Sequence, residues 1–206
     1  MMAGLEKTLK FCIIQHWKLL SLAVIYGAIY VIFLGLALDE GFGRALLYLQ
    51  LVFVMYAALF QMSYIKSQAS LMIMFGDLRK NVNLGRHLGT VLFAIEGGIV
   101  AVVGKIIDGN VAGFTTSILV IMVAIVGAAG LGMITGFFGH MFGDKGYIAW
   151  LLAIFIFGAL GGMLVGVKLV ELSMPLTMVL VVLAVVIYTI GTVLTGKIIK
   201  NMDVRI

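Results

Sequence analysis

Six apolar runs, each about as long as a membrane is thick, constrain this chain more than any motif in it. A helix rises 1.5 Å per residue, so about 20 apolar residues cross a hydrocarbon core of roughly 30 Å. Hydrocarbon offers the backbone no hydrogen-bond partner, so such runs must fold as helices that satisfy themselves. The runs cover about 19–38, 45–65, 88–107, 114–136, 148–167 and 176–196. Of the 206 residues, 63% are hydrophobic and 11% charged. Soluble domains carry about 25% charged residues. The expectation is an all-α membrane protein, one transmembrane domain over 1–206, with six spans.

The remaining composition fits that class. One proline and 26 glycines suit membrane helices. Cys12 is the one cysteine, so no internal disulfide framework exists. The net charge of +5 would suggest nucleic acid in a soluble protein. Here it is read as membrane anchoring, with no nucleic-acid partner. The N-terminal stretch is charged and amphipathic and lacks a small-residue cleavage site, so it is not expected to be a signal peptide.

Lysine and arginine set the expected orientation. With the N-terminus inside, eleven of the 14 basic residues are cytoplasmic, and Arg44, Lys105 and Lys168 are external. Six spans then return the C-terminus, KIIKNMDVRI, to the cytoplasm. The localisation expected is the cell membrane, multi-pass, with both termini cytoplasmic. No segment between spans is long enough for a folded soluble module. Residues 1–18, with Lys7, Lys10, His16, Trp17 and Lys18 among Phe11, Ile13 and Ile14, are expected to form a helix lying at the interface.

Motifs for catalysis or metal binding are missing. Gly191–Lys197 reads GTVLTGK and has phosphate-loop spacing, but Ile198 stands where magnesium needs Ser or Thr, and no strand precedes it. His16, His87 and His140 each fall near an expected boundary, and none has a second ligand at metal spacing. No H-E-x-x-H, nucleophile elbow or aspartate cluster occurs. The chain is therefore expected to be non-catalytic and to hold no metal.

Glu96 is the one carboxylate inside a span. An ionised group at the bilayer centre costs about 2.5–3.5 kcal/mol on insertion scales. It should face the protein interior, either bonding a neighbouring helix or lining a translocation pathway. Gly132 with Gly136, and Gly158, Gly162 and Gly166, recur four apart, a spacing that lets helix backbones approach. Between the second and third spans lies SLMIMFGDLRKNVNLGRH, Ser70–His87. Read as a helix, it places Leu71, Met74, Phe75, Leu78 and Val82 on one face, with Asp77, Lys80 and Asn81 largely opposite. Residues 66–87 are thus expected to form a cytoplasmic amphipathic segment, resting on lipid or docking in a partner's groove.

With that loop, the chain resembles the permease subunits of ATP-binding-cassette exporters of the ABC-type two membrane class. In that family the loop commonly carries a serine, a glycine and an Arg-Lys pair before a further glycine and the next span. Ser70, Gly76, Arg79-Lys80 and Gly85 occupy those places. Phe142-Gly143 and Lys145-Gly146 match a second family pattern ahead of the fifth span. The segment between the fifth and sixth spans, about Lys168 to Pro175, is shorter than in many such permeases. The resemblance implies that Leu71, Met74, Phe75, Gly76, Leu78, Arg79 and Lys80 form a coupling helix docked on a separate ATPase. It also implies a second permease chain, and ATP and magnesium held by the ATPase partner rather than by this chain. The cargo, whether peptide, drug, lipid or ion, is left open. A six-span substrate-binding subunit of a vitamin-uptake transporter is the alternative, followed by an intramembrane enzyme and a membrane regulator.

Overall fold

Every element among the described residues is helical. The computed structural model describes residues 2–37, 42–74, 79–107, 114–166 and 174–202. They form α1 (Met2–Ala37), α2 (Phe42–Ser63), a π-helical turn (Tyr64–Gln68), α3 (Ala69–Met74), α4 (Arg79–Ile107), α5 (Phe114–Gly166) and α6 (Met174–Asn201). Among the described residues, three stretches are long and apolar enough to cross a membrane: Arg79–Ile107, Ile118–Ile148 and Thr177–Asn201.

The bundle is apolar outside and carries polar groups within. On α4, Leu84, Val91, Ile95, Ile99 and Val103 are exposed, and on α6 so are Met178, Val182, Val185, Val186 and Val193. Steps of three, four and seven residues put such side chains on one helix face. A surface this apolar is stable against lipid or another protein, not against water. The opposite face of α4 buries Val82, Gly85, Arg86, Gly89, Thr90, Phe93, Gly97 and Ala101. α4 packs on α2, α5 and α1, while α5 packs on α2 and α6.

Small residues set the closest approaches. A Cβ at Gly130 would stand 2.7 Å from the backbone nitrogen of Tyr188, and one at Gly191 2.8 Å from the Gly130 carbonyl oxygen. α5 and α6 therefore meet backbone to backbone. Gly132 lies against the Ala58 carbonyl of α2, and a Cβ at Gly136 would be 3.1 Å from Ile65. Gly158, Gly162 and Gly166 fall in α5, and their surroundings lie outside the described residues. Gly143 breaks α5 with φ 64° and ψ −154°, which glycine adopts readily and other residues rarely do.

Two boundaries differ from expectation. The separate interfacial helix over 1–18 is not formed; α1 runs unbroken from Met2 to Ala37. No proline interrupts it, and its buried stripe, Cys12 and His16 flanked by half-buried Leu9 and Leu20, packs the N-terminal half onto the bundle. Ile13, Ile14 and Trp17 face outward. The helix of the fourth run continues past 136 to the break at Gly143. Of the amphipathic segment read from Ser70 to His87, the described residues show two helical parts. α3 carries Leu71 and Met74, whereas Arg79, Lys80 and Val82 belong to the first turn of α4, where Val82 is fully buried. Phe75, Gly76, Asp77 and Leu78 lie outside the described residues.

Gly130→Val should therefore lower stability, since the added atoms meet backbone that cannot rotate away. Overpacking of this kind typically costs about 1–3 kcal/mol. Gly98→Ala is the control. Its Cβ meets only Met122 Cε, at 3.9 Å, and alanine favours helix by about 1 kcal/mol over glycine. Thermal unfolding in detergent should show a lower midpoint for the first variant and an unchanged or higher one for the second.

Candidate functional site

The polar side chains gather along the buried face of α4. At one level Nε2 of His16 on α1 lies 2.8 Å from Oε1 of Glu96. His16 is 3% exposed, and Phe93 covers it with ring centroids 4.4 Å apart. Phe60 of α2 closes the pocket edge-on. Whether ionised or neutral, the pair satisfies a carboxylate that the bundle could not otherwise hold at this depth. Nδ1 of His16 and Oε2 of Glu96 are buried and have no hydrogen-bond partner.

One turn and more toward the start of α4, Nε2 of Gln61 donates to the Arg86 carbonyl (2.6 Å) and to the Thr90 hydroxyl (2.7 Å). Arg86 is fully buried, and its Nη2 donates to the Thr192 carbonyl of α6 at 3.0 Å. Nδ1 of His87 and the Tyr188 hydroxyl are 2.7 Å apart. Nη2 of Arg79 reaches the Met202 carbonyl at 2.9 Å. That bond sets a cation at the negative end of α6, where the helix dipole favours one. The start of α4 is thus fastened to the end of α6 at three points.

Tyr64 opens the π-helical turn and joins several elements. Its hydroxyl donates to the Val82 carbonyl (2.6 Å) and faces Met72 Sδ of α3 (3.5 Å). Cys12 of α1 donates to it from 4.0 Å. α3 is therefore held on its Met72 side, and Leu71 and Met74 remain 41% and 52% exposed. Arg79 and Lys80, next along the described chain, are exposed as well. Apolar tips beside cations make a surface with the chemistry of a docking edge.

No family profile, curated protein or solved structure matches this chain.

Of the expected site residues, the structure brings Glu96 to the interior and places Leu71, Met74, Arg79 and Lys80 on the surface. Sequence reading missed His16 and Arg86. His16 is not an interfacial histidine but the partner of Glu96, and its signal was the i, i+4 relation to Cys12 on one stripe of α1. Only His140 of the three histidines is exposed. The GTVLTGK segment is uninterrupted helix, so it forms no phosphate loop. Among the described residues no group of three His, Cys, Asp or Glu could hold a metal. A separate cleft of about 320 Å³ between α2, α5 and α6, bounded by Val54, Ala124, Gly127, Thr177 and Ala184, is almost wholly hydrocarbon and offers little that could recognise a polar ligand.

The His16–Glu96 contact should behave as a coupled pair. His16→Ala and Glu96→Gln should each lower stability by about 1–3 kcal/mol, the cost of leaving a buried partner unsatisfied. The double variant should cost clearly less than the sum, because the second change removes the group the first left unpaired. Thermal unfolding of the four proteins at one pH checks this, and strict additivity would show that the two side chains do not interact.

Proposed function

We propose that the chain is the membrane-spanning, non-catalytic subunit of an ATP-driven transporter. In this reading all six apolar runs cross the bilayer, and both termini lie in the cytoplasm. The observation that carries the reading is the buried His16–Glu96 pair within a bundle whose outer surface is apolar. Ionisable groups at membrane depth are expensive, and they mark ion and substrate pathways. Gln61 of α2 and Thr90 of α4 add further buried polar groups toward the start of α4.

The exposed edge of Leu71, Met74, Arg79 and Lys80 is proposed as the docking site of a separate ATPase subunit, as the resemblance implies. Tyr64 supports the coupling role: one hydroxyl touches α3, α4 and α1, so a force on α3 reaches the helices that hold His16 and Glu96. The ATPase would hold ATP and magnesium, and a second permease chain would complete the unit. The vitamin-binding alternative has less support, since the clefts described against α6 are lined almost wholly by hydrocarbon and lack polar groups to recognise such a ligand.

The test is copurification of the ATPase together with transport. Met74→Ala and Phe75→Ala should each weaken the complex by about 2 kcal/mol or more, the range of buried anchors. Arg79→Ala should cost less, and its effect should shrink at high salt. Full ATPase binding and transport by both apolar variants would remove the docking assignment. Glu96→Gln should leave assembly intact and change transport.

Orientation is tested independently. In a Cys12→Ala background, a cysteine at Asp108 should react with an impermeant thiol reagent applied to intact cells, and one at Asn201 should not. Labelling at Asn201 would reverse the topology.

A further inference from the structure

Among the described residues, Arg86 is a fully buried cation with no carboxylate paired to it. Its side chain is fully buried, and Nε and Nη1 have no hydrogen-bond partner. Those two atoms carry three N–H groups, and a guanidinium keeps its charge at any ordinary pH. The single bond it makes, to the Thr192 carbonyl, is to a neutral acceptor. Tyr64 and Tyr188 stand close enough to interact with it electrostatically, but their hydroxyls are engaged with Val82 and His87. Glu96, the nearest carboxylate along α4, lies ten residues on, roughly 15 Å at helical rise, and is held by His16. α6 contains no acidic residue between Met174 and Met202.

The surroundings add to the imbalance. Lys197 and Lys200 are exposed on the last turns of α6, beside the exposed Arg79 and Lys80 of α4. Hydrogen bonds from Arg79 to Met202 and from Arg86 to Thr192 place these ends together. A buried charge is tolerated when it is paired. Gly196 of α6 stands next to the guanidinium. Gly196 is half-buried, and a Cβ there would meet a single neighbour, Nη2 of Arg86, at 3.7 Å. The bare helix face at Gly196 leaves room beside the guanidinium that any larger residue would take.

We propose that the α4–α6 junction binds a phosphate group, that of an anionic phospholipid. Arg86 donates to its oxygens past Gly196, and Lys197 and Lys200 hold the rim. Guanidinium matches phosphate in geometry as well as charge, and basic clefts between membrane helices take anionic headgroups. The site is distinct from the His16–Glu96 pocket and does not depend on the transport reading.

The experiment uses the full chain, delipidated in an uncharged detergent. Native mass spectrometry and thermal unfolding are recorded with phosphatidylglycerol, with phosphatidylcholine and with inorganic phosphate. The wild type should prefer phosphatidylglycerol to phosphatidylcholine by roughly tenfold or more, as a charge-assisted hydrogen bond allows. Lys197→Gln and Lys200→Gln should each reduce the preference by about fivefold. Arg86→Gln should abolish it. If that variant does not fold, Gly196→Leu decides the matter, because it fills the approach and leaves Arg86 in place; it too should abolish the preference. Protection by inorganic phosphate that is equally lost in Gly196→Leu would uphold the phosphate site and make free phosphate its source. An undiminished preference for phosphatidylglycerol in Gly196→Leu or in a folded Arg86→Gln protein would overturn the proposal, as would the absence of any preference in the wild type.

Discussion

A polar group inside hydrocarbon must find its partner within the protein, and the position of α4 follows from that rule. α4 carries Arg86, His87, Thr90 and Glu96 within about three turns. Its neighbours answer these groups one by one: Gln61 from α2, His16 from α1, Thr192 and Tyr188 from α6. Each answer fixes a rotation and a height for the helix that gives it. Close packing of glycine against backbone then brings α5 and α6 near enough for those bonds to form. The apolar outer surface needs no such specification, because one hydrocarbon side chain faces lipid as well as another.

The same rule explains the turn between α2 and α4. A π-helical turn leaves the regular i to i−4 pattern and commonly marks a functional position. Here it directs Tyr64 inward, where its hydroxyl donates a further hydrogen bond to the Val82 carbonyl in the first turn of α4. The chain thereby leaves α2 and enters α4 with its ends tied together, and α3 is held on its Met72 side against that tie. In the proposed transporter, this makes the surface of α3 mechanically continuous with the interior and not a loop free to swing.

Much of the architecture is legible from composition and run length. Apolar stretches of 20 residues leave helix as the one self-satisfying choice, and the described residues of all six runs are helical. The interior position of Glu96 also follows from sequence, because the cost of lipid exposure does not depend on fold. Its partner does not follow. His16 precedes Glu96 by 80 residues, and only packing of α1 along its whole length brings them together. Helical periodicity over Ser70–His87 reaches residues of both α3 and α4, with 75–78 outside the described residues. Period alone cannot see that Arg79 is drawn to the end of α6, or that Val82 is needed by Tyr64. Arg86 was counted as one more cytoplasmic cation, since charge counting weighs residues by span boundary and not by what surrounds them.

Glu96 and Arg86 share a helix and a buried face, yet they stand in opposite electrostatic conditions. Glu96 has the imidazole of His16 within hydrogen-bond distance. Arg86 keeps its charge, and the described group its side chain hydrogen-bonds, the Thr192 carbonyl, is neutral. The carboxylate thus meets a partner supplied by the chain itself, although one of its oxygens stays unbonded, and the guanidinium meets no described anion. Along one helix, the fold separates a carboxylate met by an imidazole from a cation that the proposed site leaves to be met by an added anion. The second lies at the end where the surface lysines, and not the interior, decide which anion arrives.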